Sequence, residues 1–144
     1  HWDAHARGLL CGLTRASGPA EVARAAVESI AFQVADVFEA MQLDTGVTDS
    51  GELLADGGAS RNSWLMQFQA DVLGRPVVRN GSTDLSAVGA AWLAGLATGF
   101  WRDTGELQGL PATAERFEPR MAEARRRELL EGWREAVNRA SGAR

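Results

Sequence analysis

The chain has little cysteine, no excess of positive charge and no long apolar run, and each shortage closes off a class of function. Cys11 stands alone among 144 residues, so no disulfide forms within the chain and no pair of cysteines exists to build a zinc site. A reducing, cytoplasmic home fits that usage. Lys and Arg number 15 against 19 Asp and Glu, a net charge of -4, which supplies no basic stripe to displace counterions from nucleic acid. The apolar stretch Ala87 to Ala97 is broken by Gly89 and Gly95 and is too short to span a bilayer, which takes about 20 residues. His1-Trp2-Asp3-Ala4-His5 offers no initiator methionine, basic n-region or apolar h-region, so a signal peptide is not expected and the sequence reads as a cut piece. His1 and His5 have the i, i+4 spacing of a helical metal pair, but no helix pattern or third ligand supports them and no metal site is assigned.

What is present suits one compact α/β unit, since 45% hydrophobic and 24% charged residues over this length bury a single core. Gly8 to Leu13 is an apolar run expected as a buried strand. Pro19 suits a first helical position, and Val27, Ile30, Val34, Val37, Phe38 and Met41 predict a core-facing helix to about Leu43, closed by Gly46. Leu53-Leu54-Ala55 reads as a strand, followed by a glycine turn at Asp56 to Asn62 and a helix carrying Leu65, Phe68 and Val72. Ser60 or Asn62 is its expected cap, and Gly74 with Pro76 its stop. Pro76 to Arg79 predicts another strand, and Asp84 or Ser86 caps a small-residue helix running to Phe100. Its interior glycines imply close approach of a neighbouring backbone, a ligand or tight packing. A polar stretch then leads to a last helix, Met121 to Ala140, with Leu129, Leu130, Trp133 and Val137 on one side and Arg125-Arg126-Arg127 as a solvated face.

The turn at Asp56 to Asn62 is the strongest local signal for chemistry. Two adjacent glycines let a backbone approach a ligand with no Cβ in the way, and a following helix N-terminus offers free N–H groups to an anion. No Walker loop or GxGxxG is present, and double glycines make tight turns in proteins of every kind. Asp56 is expected to fix the turn and not to act as a base, while Trp64, Trp92 and Trp101 are read as core residues before adenine platforms. Arg24 and Glu28 form an expected i, i+4 pair.

Around this turn the pieces match a family pattern. Gly8-Leu9-Leu10-Cys11-Gly12-Leu13, seven further residues, Glu21-Val22 and then Ala25-Ala26-Val27-Glu28 resemble the second signature of the FGGY carbohydrate kinases. Ala6-Arg7-Gly8, the runs Glu28 to Gln33 and Met66 to Asp71, and Gly89 to Gly95 leading to Gly99-Phe100-Trp101 resemble the glycerol kinases within that family.

The resemblance implies a ribonuclease-H-like domain of the actin and hexokinase superfamily, with residues 1–144 as an incomplete, carboxy-terminal part of the second domain. It implies ATP and Mg2+ as cofactors, with Gly57, Gly58, Ala59, Ser60 and Asn62 as the nucleotide-binding residues and Ser63 replacing a frequent second asparagine. The family's catalytic aspartate and polyol-binding residues lie upstream, so no catalytic residue is assigned and the chain alone is expected to be inactive. Glycerol is the implied acceptor, with a homo-oligomer as a possible assembly. Another FGGY sugar kinase, of xylulose or gluconate type, and a non-catalytic nucleotide-binding or interaction module are the rival readings.

Overall fold

The computed structural model describes residues 6–46, 51–82, 84–111 and 113–142. His1 and His5 lie outside them. The elements run α1 (Pro19–Thr45), β1 (Leu53–Ala55), a 3-10 helix (Gly58–Arg61), α2 (Ser63–Leu73), β2 (Val77–Asn80), α3 (Leu85–Ala97), α4 (Thr104–Gln108), β3 (Ala114–Phe117) and α5 (Glu123–Gly142). Among the described residues the sheet has order β1-β2-β3, with β1 parallel to β2 and β3 antiparallel to β2. No described helix is long and apolar enough to cross a membrane.

Local chemistry sets most boundaries. The N–H of Gly18 donates to the Glu21 carboxylate at 2.8 Å and Pro19 follows at the first turn of α1, while Gly46, at φ 67°, ends that helix. Asn62 caps α2 and Asp84 caps α3, each accepting a backbone N–H through its side-chain oxygen. Gly74, at φ 67°, closes α2.

The core is centred on α2, whose Leu65, Met66, Phe68, Ala70, Val72 and Leu73 are buried between α1 and the sheet. Phe32 of α1 meets Phe68 edge-on at 5.6 Å and stacks on Trp133 of α5 at 5.3 Å. Trp133 also donates through Nε1 to Asp36 at 2.8 Å, which fixes α5 against α1 across 97 residues of sequence.

Four expectations change. Gly8 to Leu13 forms no strand: Gly12 takes φ 77°, which breaks an extended run, and Leu9, Leu10 and Leu13 are exposed. The buried face of α1 is Ala31 and Phe32 with Val27, Ala35 and Phe38 beside them, whereas Ile30, Val37 and Met41 are exposed, because the helix carries apolar residues on two sides. The polar stretch before α5 contains α4 and the edge strand β3, which is short and half charged. Arg126 leaves the solvated face and donates to the carbonyls of Val72 at 2.8 Å and Leu73 at 3.2 Å, satisfying the open end of α2.

The small-residue helix α3 has no buried residue. Gly95 is occupied by the indole of Trp101, which lies where a Cβ would stand, while Gly89 has open space beside it.

Candidate functional site

β1 and β2 run parallel, so their carboxy-terminal ends face the same way, and the chain leaving β1 makes its glycine turn there. Gly57 takes φ 84° and ψ 179°, a conformation that residues with a Cβ rarely adopt. Gly58 starts the 3-10 helix, and a Cβ on it would meet no heavy atom within 4 Å. The turn does not pass straight into the α-helix as expected; the 3-10 helix intervenes and brings Asn62 to the head of α2.

Each predicted site residue has a distinct orientation. Among the described residues, the N–H groups of Gly58 and Ala59 donate to no other group. Ser60 is only 2% exposed, and its hydroxyl donates back to the Gly57 carbonyl at 2.7 Å, so it closes the turn from inside. Asn62 is exposed; its Oδ1 accepts from the Leu65 N–H at 3.1 Å, and its amide nitrogen has no acceptor among the described residues. The turn therefore presents two backbone donors, one side-chain donor and no Cβ at Gly58. That donor set and open face fit the polar edge of a nucleotide. Asp56 is exposed at its start.

Two residues that the sequence did not single out support the turn. Arg79, on β2, donates through Nη1 to the Ser60 carbonyl at 2.7 Å and through Nη2 to the carboxylate of Glu115 on β3. Its guanidinium lies 5.3 Å from the Phe117 ring centre. No sequence spacing signals this pair, because it depends on the β2–β3 register that sets Arg79 opposite Glu115. A cleft of about 380 Å³ opens beside it, lined by Arg61, Arg79, Asn80, Gly81, Ala114 and Glu115 among others.

The tryptophans read as core are not buried. Trp64 stacks on Phe68 at 5.2 Å and the Arg24 guanidinium lies 5.3 Å from the centre of its ring, while Trp92 is exposed. Trp101 covers Gly95 and meets Phe100 edge-on at 4.8 Å. Arg24 and Glu28 do pair, at 2.8 Å.

Comparison with known proteins gives a consistent set of likenesses. Residues 1–98 match the model of the FGGY family of carbohydrate kinases, C-terminal domain. A glycerol kinase of Dechloromonas aromatica is 56% identical over 140 residues, covering 97% of this chain and 28% of that protein. Among solved structures, Plasmodium falciparum glycerol kinase with ADP superposes at TM-score 0.81 and 27% identity, covering 96% of this chain and 28% of its own. Xylulose kinase from Lactobacillus acidophilus, in a ligand-bound crystal structure, superposes at TM-score 0.75 and 29% identity, covering 99% and 29%. The chain thus spans a little over a quarter of the length of the relatives it matches.

Proposed function

The chain belongs to the FGGY family of carbohydrate kinases, and from that premise we propose that it forms the carboxy-terminal, ATP-binding part of a glycerol kinase. The whole enzyme would transfer the γ-phosphoryl group of Mg-ATP to a hydroxyl of glycerol. The observation that carries this reading is the 56% identity to a glycerol kinase over 97% of the chain. Residues 1–144 act in it as one nucleotide-binding unit, in a cytoplasmic protein.

Gly58, Ala59 and Asn62 take the direct contacts, because the open donors belong to them. Gly57 shapes the turn and Ser60 ties it shut. Bound ATP supplies the transferable phosphoryl group, and Mg2+ would arrive with it. Phosphoryl transfer is mostly positioning and charge stabilisation, so a rigid turn that fixes one end of the nucleotide contributes without acting as acid or base. The hydroxyl acceptor is held outside this chain.

A chimera tests the assignment: this chain replaces the matching segment of the Dechloromonas aromatica glycerol kinase. The expected result is ATP-dependent phosphorylation of glycerol with KM for ATP within about threefold of the host enzyme. A folded chimera that no longer uses ATP contradicts it. The likeness to xylulose kinase supports a second reading with a sugar acceptor. An acceptor panel on the complete polypeptide separates the two, glycerol turnover supporting the first and xylulose turnover the second.

A further inference from the structure

We propose that Arg79 is a positioning residue for the nucleotide, acting as a strut that sets the glycine turn without touching the ligand. The inference rests on the nucleotide site proposed above and extends it to two residues outside the turn.

The Ser60 carbonyl lies near the end of the 3-10 helix, where backbone acceptors lose their helical partners. Arg79 satisfies it at 2.7 Å from a side chain only 17% exposed. The guanidinium is itself oriented twice, by the Glu115 carboxylate and by the Phe117 ring. Both orienting residues sit on β3, in register with β2: Glu115 opposite Arg79 and Phe117 opposite Val77. A planar, forked donor suits this task, since one arm can hold a carbonyl while the other holds a carboxylate; a lysine ammonium has no such fixed fork.

The linkage continues inward. Ser60 closes on Gly57 through its hydroxyl, and the next residues lead to Asn62, whose side chain starts α2. Moving the Ser60 carbonyl therefore displaces the donors on both sides of it, at Gly58 and Ala59 and at Asn62. Displacement of a positioned group by about 1 Å can cost about a hundredfold in rate or affinity.

Arg79→Lys, Arg79→Met and Glu115→Gln are compared in the chimera described above. In Arg79→Met, KM for ATP is expected to rise about tenfold with KM for glycerol unchanged, since the variant loosens only the nucleotide side. Arg79→Lys restores part of the loss, and Glu115→Gln, which keeps an acceptor, stays within about threefold of the parent. Amide exchange on the same proteins should show lost protection at Ser60 and Asn62, with α1 and α5 unchanged. Equal KM for ATP in all variants, or protection lost uniformly across the chain, overturns the strut. If the parent chimera does not use ATP at all, the nucleotide reading fails instead, and the exchange pattern still decides whether Arg79 orders the turn.

Discussion

Asn62 Oδ1 accepts the Leu65 N–H at 3.1 Å, so the residue expected to meet the nucleotide is also the cap of the helix at the centre of the core. The two roles use different atoms. Asn62→Asp keeps a capping oxygen and removes the amide donor, whereas Asn62→Ala removes both. Thermal unfolding should show Asn62→Ala destabilised by about 1 kcal/mol and Asn62→Asp near the parent. Nucleotide titration should show both weakened. An Asn62→Asp protein that binds as the parent does assigns Asn62 to the cap alone.

How much of this was legible in the sequence depends on where the cause of each feature lies. The cap at Asn62, the stop at Gly74 and the strand Leu53–Ala55 follow from local chemistry, and local chemistry is what a sequence displays. The Arg79–Glu115 pair joins residues 36 apart through a sheet register, so neither residue carries a sign of it. The same holds for Arg126, whose neighbours Arg125 and Arg127 are exposed while it turns to the end of α2. Gly8 to Leu13 misled in the other direction, because apolar composition does not make a strand where no described neighbour takes its backbone hydrogen bonds. At the turn, the glycine break and the Asn62 cap were legible; the inward direction of Ser60 was not.

Arg126 should matter to stability far more than the arginines beside it. Its guanidinium satisfies two carbonyls at the end of α2, and hydrogen bonds from a charged donor contribute about 1.5–3 kcal/mol. Arg126→Met is expected to lower unfolding free energy by about 1–2 kcal/mol, and Arg125→Met by less than about 0.5 kcal/mol. Urea denaturation of the two variants checks the difference; equal values contradict the capping role.

The Gly18 N–H bonded to Glu21 holds that carboxyl below its ordinary value of 4.5. A depressed carboxylate binds fewer protons folded than unfolded. Its stabilising contribution is therefore complete above that ordinary value and is lost as pH falls through the lowered one. Glu21→Gln should flatten the acid limb of stability below about pH 4.5, leaving the neutral limb parallel to the parent. Melting curves across that range supply the test, and identical acid limbs would remove Glu21 from the account.

Leu93 of α3 is 70% exposed, Phe100 just beyond it 74%, and Leu54 of β1 73%. Exposed large apolar side chains favour association where they gather into one patch. The 144-residue chain is expected to self-associate with rising concentration, and Leu93→Lys combined with Phe100→Ser to shift it toward monomer. Sedimentation velocity over a concentration series reads this directly. A parent that stays monomeric throughout contradicts it.

The central claim is that the turn at Gly57 to Asn62 holds a nucleotide, and Gly58→Val tests it most directly. Gly58 has no positive φ and a Cβ there would meet no heavy atom within 4 Å, so valine is expected to keep the fold and to narrow the open face of the turn. Calorimetric titration with ADP and Mg2+ is made on the parent and Gly58→Val chimeras. Binding by the parent, lost in the variant at an unchanged melting temperature, is the predicted result; equal binding by both contradicts the site.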